Sequence, residues 1–315
     1  MSGGPLSGLQ APLLPGQPWP LWQLLAGAAA VLLLTTLLVL ALRRRSRRNR
    51  SGPPPVPPIR TSGATVQPAP ASAPMAVGNV QGLGRREEQQ DAFAVSPLTA
   101  YPSQGLLAVL CDGMGGLADG QAVAQTVVEE TMAAFPYGAP DPEGWNAWLR
   151  ACNERLFAAY GGRSGSTLVT AYLFRQQLWF WCVGDSDLYL MRDGALYAVN
   201  ARQEYAGELL RRVLEDGGLV GDALHDPQAG ALSEYLGNRS VLSDFSRRPF
   251  PLQPDDRLLL CSDGVTDALS VEAVRCALLQ STPQACCDAL EQQILAAAKP
   301  EQDNYTAIVI DCARL

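Results

Sequence analysis

Apolar residues recur along this chain in one unbroken block and two rhythms. The block runs from Leu21 to Leu42 and is interrupted by polar atoms only at Gln23, Thr35 and Thr36. Twenty-two helical residues reach about 33 Å, enough to cross a bilayer core. Farther on, short apolar runs bounded by turn residues predict strands over 105–111, 187–191, 195–199, 257–261 and 305–311. Segment 166–183 holds two such runs around Arg175-Gln176-Gln177, and Arg192-Asp193-Gly194 marks a second tight turn. Three- and four-residue spacing predicts helices over 118–135, 145–160, 204–215, 271–279 and 283–298. Strands joined as hairpins and bracketed by helices point to an α+β fold, not to a βαβ parallel sheet. The expected architecture is two antiparallel β-sheets packed face to face and flanked by helices, preceded by one transmembrane helix.

Composition divides the chain further. Residues 1–20 carry five prolines and no charge, the expected short extracytoplasmic tail. The apolar block at 21–42 has no polar face, unlike a long soluble helix, and its basic residues follow it, unlike those of a signal peptide. Six arginines lie between Arg43 and Arg50. By the positive-inside rule they set a single-pass topology in the cell (inner) membrane, with the N-terminus outside and the rest cytoplasmic. Residues 43–76 form a basic juxtamembrane and proline-rich linker, with eight prolines in 51–76. The folded domain is expected over 77–315.

All 31 acidic residues lie at or after Glu87, and from Arg85 onward 17 basic residues face them, a balance of −14. So acidic a domain argues against nucleic acid as a partner. The eight cysteines form no Cys-x-x-Cys pair and His225 is the only histidine, so zinc and a disulfide framework are not expected. The domain is expected to be a monomer.

Chemistry concentrates in four short phrases. Asp91 ends Arg-Glu-Glu-Gln-Gln-Asp, Asp112 lies in Cys-Asp-Gly-Met-Gly-Gly, Asp263 in Cys-Ser-Asp-Gly, and Asp303 opens Asp-Asn-Tyr-Thr. Carboxylates aimed at one point repel unless hard cations neutralise them, which suits Mg²⁺ or Mn²⁺. Paired ions of this kind activate water against phosphoryl groups. Asp-Gly alone also marks ordinary turns. The small residues after Asp112 bring the backbone close, so the Gly113 carbonyl is a further candidate ligand. Asp255-Asp256, after Pro254, reads as a turn with no catalytic role.

The phrases Arg86–Asp91, Val109–Gly116, Gly165–Val169, Val183–Leu190, Leu259–Asp267 and Asp303–Thr306 resemble, in this order, the metal-dependent serine/threonine phosphatase family (PPM, type 2C) in its bacterial form. The resemblance runs from about Met75 to Ala313. It implies the layered fold already expected, and two Mn²⁺ or Mg²⁺ ions held by Asp91, Asp112, the Gly113 carbonyl, Asp263 and Asp303. Asp185 would join Asp263 at a weaker third metal position. Arg86 matches the family's phosphate-binding arginine, with Arg85 as the rival if the register slips by one. Arg86, Asp91, Asp112 and Asp263 would then be catalytic. The reaction implied is hydrolysis of phosphoserine and phosphothreonine proteins by a water activated between two metals, with a serine/threonine kinase as the opposing partner. Met114 stands where eukaryotic members carry a histidine proposed as general acid, which leaves a metal-bound water to protonate the leaving group. Asn200-Ala-Arg-Gln-Glu204 replaces a common Asp-His-Ser phrase ahead of the family's mobile flap, expected at 200–240. The rival readings are a non-catalytic phosphate-recognition module on the same fold and a hydrolase of small phosphate esters.

Overall fold

The computed structural model describes residues 75–115, 118–135 and 138–312. The apolar block 21–42, the arginine cluster and the proline-rich linker lie outside the described residues. Among the described residues no helix is long and apolar enough to cross a membrane.

The domain begins with β1 (Ala76–Gly82), β2 (Asp91–Val95) and β3 (Leu106–Gly115), followed by helices α1 (Ala118–Ala133) and α2 (Pro142–Tyr160). Strands β4 (Ser164–Ser166), β5 (Leu168–Phe174), β6 (Gln177–Val183), β7 (Asp187–Arg192) and β8 (Ala195–Ala198) come next. An insert with α3 (Tyr205–Glu215) and α4 (Val220–Leu224) leads to the two-residue strands β9 (Asp244–Phe245) and β10 (Phe250–Pro251). The chain closes with β11 (Arg257–Cys261), α5 (Asp263–Thr266), α6 (Val271–Ala277), α7 (Pro283–Ala297) and β12 (Tyr305–Asp311).

One sheet has the order β1-β12-β11-β7-β8 and the other β10-β6-β5-β3-β2, with β4 on β3 and β9 on β6. Every pairing is antiparallel. Period-two alternation assigns each strand residue to a layer. Leu106, Ala108 and Leu110 of β3 pack between the sheets with Leu258, Leu260, Ile308 and Ile310. Leu107, Val109 and Cys111 face the other way, onto Val123 and Val127 of α1 and Leu149 and Cys152 of α2. On the far side Leu259, Cys261, Ala307 and Val309 pack under Val274 of α6 and Cys286, Leu290 and Ile294 of α7. Both faces of the central strands are therefore buried, which explains their unbroken apolar sequence. Each such leucine contributes about 1.5–3 kcal/mol by leaving water.

The expected hairpins form with two-residue turns, Arg175-Gln176 (φ 52° and 61°) and Asp193-Gly194 (φ 52° and 74°). Left-handed geometry at both central positions matches the twist of the flanking strands. Helix α2 starts earlier than its apolar spacing suggests. Pro142 is suited to the first turn, and the Asp141 side chain caps the helix by accepting from Gly144 N–H at 3.0 Å.

Five strands were not expected, among them the two-residue β9 and β10 on the edge of β6. β1 is rich in Gly, Asn and Gln, and it forms because β12 offers it a seven-residue register. β2 is five residues long, and β4 has only Ser and Gly. β4 also corrects the end of β3: the strand does not stop at Asp112 but continues to Gly115, because Gly113–Gly115 pair with Ser164–Ser166.

Candidate metal centre

Four of the phrases meet where β2 and β3 of one sheet approach β11 and β12 of the other. Asp91 opens β2 and lies directly across the ladder from Asp112. Asp263 opens α5 immediately after β11, and Asp303 lies just before β12. Hydroxyls fasten the two sheets at this point. Asp91 Oδ2 accepts from Ser262 Oγ at 2.8 Å and from Thr306 Oγ1 at 2.7 Å. Asp112 N–H donates to Thr167 Oγ1 at 2.9 Å, and Ser166 Oγ donates to the Asp112 carbonyl at 3.0 Å. Asn304 bridges the entry loop, accepting from Gln90 N–H at 2.8 Å and donating to the Leu83 carbonyl at 2.9 Å.

Two glycines let these segments approach. A Cβ at Gly113 would stand 2.2 Å from the Gly120 oxygen, and one at Gly264 would stand 1.9 Å from the Asn304 oxygen. No side chain fits at either place.

The carboxylates are held at close quarters without enough positive charge. Burial, opposed by the Thr306 and Ser262 hydroxyls and reinforced by Asp263 and Asp303, pushes Asp91 up to about 7. Asp112 is raised well above the usual range by burial and then by Asp91, Asp263 and Asp185. Asp263 is raised by burial and by Asp267 and Asp303, while a hydrogen bond with Asp112 and the Arg202 charge pull the other way. Asp185 is pushed up to about 7 by burial and by Asp263, again opposed by Arg202. Oδ1 of Asp91 and Oδ1 of Asp263 are buried and accept no hydrogen bond. Leaving such atoms unpaired is costly, and a set of hard oxygens with spare lone pairs fits a hard divalent cation.

Asp91, Asp112 and Asp263 are thus brought together, with Asp185 next to them. Asp303 sits at the rim, half-exposed and paired with Arg86 at 2.5 Å. Among the described residues no three acidic, His or Cys side chains already form a closed ligand group. Arg86, not Arg85, lines a recess of about 550 Å³ with Gly264, Asp267, Lys299, Gln302 and Asp303. Asp256, read from the sequence as part of a turn, pairs with Arg192 at 2.5 Å.

Ser262, Thr306, Thr167, Ser166 and Asn304 hold the aspartate segments by hydrogen bonds and the Arg202 charge acts on Asp263, none of which the aspartate phrases alone predict. A local signal existed for Ser262, Asn304 and Thr306, which lie close to Asp263 and Asp303 in sequence, but not for Ser166, Thr167 or Arg202.

Several known proteins are similar to this chain in sequence or fold. The family model described as Stage II sporulation protein E (SpoIIE) matches residues 219–313. The serine/threonine protein phosphatase PstP of Mycobacterium tuberculosis is 30% identical over 243 residues, covering 73% of this chain and 43% of that protein. This chain therefore spans less than half the length of that relative. The solved structure of PppA, a key regulatory component of T6SS in Pseudomonas aeruginosa, superposes with a TM-score of 0.62 at 28% identity, over 75% of this chain and 96% of that one. The PstP catalytic domain in complex with 2 manganese ions has the same fold, with a TM-score of 0.59 at 24% identity over 75% and 97% of the two chains. These matches support a bacterial phosphatase of the metal-dependent serine/threonine (PPM) type for the described domain.

Proposed function

We propose that this chain is a membrane-anchored protein phosphatase that hydrolyses phosphoserine and phosphothreonine monoesters on cytoplasmic proteins, opposing a serine/threonine kinase. The observation that carries this reading is the pair of buried, unpartnered Oδ1 atoms on Asp91 and Asp263, inside a cluster of acids with Arg86 at its rim. Asp91, Asp112, the Gly113 carbonyl, Asp263 and Asp303 would hold two Mn²⁺ or Mg²⁺ ions, and Asp185 would add a weaker third position. Bound there, such ions supply Lewis acidity and a nucleophilic water at neutral pH. The manganese in the PstP structure supports this choice of metal.

The protein's own groups do the rest. Arg86 offers a planar pair of N–H donors to two phosphate oxygens once Asp303 no longer occupies it. Ser262 and Thr306 fix the Asp91 carboxylate so that its other oxygen faces the cluster. The recess beside Arg86 leaves room for the peptide around the phosphorylated residue. The anchor and the cytoplasmic location rest on the apolar block and the arginines that follow it.

The test is manganese-dependent phosphate release from phosphothreonine peptides by the full-length chain in detergent, with Asp263→Asn as control. Release that needs both the metal and Asp263 is expected. A folded chain that binds manganese and releases nothing would sink the enzyme reading and leave the phosphate-recognition module.

A further inference from the structure

Asn200, Arg202 and Gln203 engage the segment that leads into β7. Asn200 Nδ2 donates to the Ser186 carbonyl at 2.9 Å, and its Oδ1 accepts from Leu188 N–H at 2.7 Å. Gln203 clasps Gly184 from both sides, accepting its N–H on Oε1 at 2.8 Å and donating its own N–H to the Gly184 carbonyl at 2.9 Å. Arg202 forks onto Asp187, with Nε to Oδ1 at 3.0 Å and Nη2 to Oδ2 at 2.6 Å. Its Nη1 reaches Glu204 at 3.0 Å, and Nη2 also contacts Thr266 Oγ1. Thr266 Oγ1 in turn donates to Asp187 Oδ2 at 3.1 Å and lies 3.3 Å from the Asp263 carbonyl.

Asp185 stands between the two clamped residues, Gly184 and Asp187. One guanidinium therefore joins the root of the insert, the strand end that carries Asp185, and the helix that Asp263 opens. The insert returns to the site at its other end, where Leu236 pairs with Ser166, the residue whose hydroxyl holds the Asp112 carbonyl. The Asp187 side chain is only 4% exposed, so its geometry is set by packing and the fork has little freedom.

The geometry points to Arg202 as a positioning residue: through its fork on Asp187 it fixes the 200–240 insert relative to the carboxylate cluster and holds Asp185 in place beside Asp263. It touches no reacting atom. The kinetic consequence rests on the phosphatase reading, whereas the mechanical one does not. Lysine would keep the charge and lose the bidentate fork.

The experiment compares the full-length chain with Arg202→Ala, Arg202→Asp, Asp187→Arg and the double variant that exchanges the two charges. In Arg202→Ala the KM for a phosphothreonine peptide should rise about tenfold. The kcat/KM for p-nitrophenyl phosphate should fall by a clearly smaller factor than that for the peptide. Amide hydrogen exchange should rise together in 184–188 and 204–236, and the charge-exchanged double variant should recover both readouts where each single reversal does not. An unchanged KM, or faster exchange in 204–236 with 184–188 still protected, would overturn the assignment. Should the alanine variant fail to fold, Arg202→Lys should show the same pattern at smaller amplitude, and wild-type values from it would overturn the assignment equally. The exchange arm needs no turnover, so a chain that releases no phosphate defeats the phosphatase reading while exchange alone decides this one.

Discussion

Where β11 begins, Asp256 and Asp311 are each met by an arginine. Asp256, 1% exposed, receives Arg192 on both oxygens and also Gln253 N–H, while Asp311 receives Arg257 at 2.8 Å. Where β11 ends, Asp263, Asp91 and Asp112 crowd together, no arginine among the described residues forms an ion pair with them, and Oδ1 of Asp91 and of Asp263 accept nothing. The same sheets thus bury acids in two ways. At one end each charge is neutralised from within the chain, which serves stability. At the other end burial and mutual repulsion raise the carboxyl groups instead, and on the proposed function a bound cation would relieve that repulsion.

The sharpest way to break this contrast is to remove one acid from the crowded end. Asp112→Asn should lower metal-dependent phosphate release by about a thousandfold, since it removes a proposed ligand to the ions that supply the nucleophile. The same substitution should raise the melting temperature of the metal-free chain at pH 8, because one source of repulsion has gone. An unchanged or lower melting temperature would mean that the crowded end is not strained.

The paired end should respond in the opposite sense. Asp256→Ala leaves Arg192 without its buried partner and should destabilise the domain by about 3–5 kcal/mol. Denaturant unfolding measures this, and manganese affinity measured by calorimetry on the folded variant should not change. A large loss of manganese affinity would show that the two ends are not separable.

How much of this contrast could be read from the chain alone varies with how local its causes are. The central strands and the helices that cover them were legible because apolar runs and three-to-four spacing are local signals, and Leu258, Leu260, Ile308 and Ile310 face inward as alternation requires. The four aspartates stood out because each sits beside a strand end or turn phrase. β1 and β4 were not legible, since Gly, Asn and Ser carry no strand pattern and these segments become strands only when β12 and β3 are already beside them. The Arg202–Asp187 fork was hidden for a similar reason. Its residues are 15 positions apart in the chain, and nothing local distinguishes this arginine from those on exposed helices.

Proton uptake gives a smaller and more graded test. Asp91 and Asp185 are both pushed up to about 7, chiefly by burial. In the unfolded chain both would titrate near about 4. Between those values the native state keeps protons that the unfolded state has released, so metal-free stability should fall as pH rises from about 4 to about 7. Saturating manganese replaces those protons and should flatten the dependence, with proton release visible in the buffer dependence of the binding heat. If the melting temperature of the EDTA-treated chain were level across this window, these carboxylates would already be ionised in the fold.

The smallest effect is expected where an ion pair stands in water, and it separates burial from pairing as the cause of the contrast. Arg212 and Glu208 pair across one turn of α3 at 2.5 Å, with side chains 54% and 39% exposed. On distance alone this pair equals Arg192–Asp256, which is also 2.5 Å. Water already solvates both partners, salt screens them, and holding two long side chains together costs entropy, so little net stabilisation remains. Arg212→Ala should therefore leave the melting temperature without a resolvable change, at low salt or high. If it destabilised the domain as much as Asp256→Ala does, pairing rather than burial would distinguish the two ends of β11. The unpartnered oxygens of Asp91 and Asp263 would then be the feature that matters at the metal end, and their desolvation would be secondary.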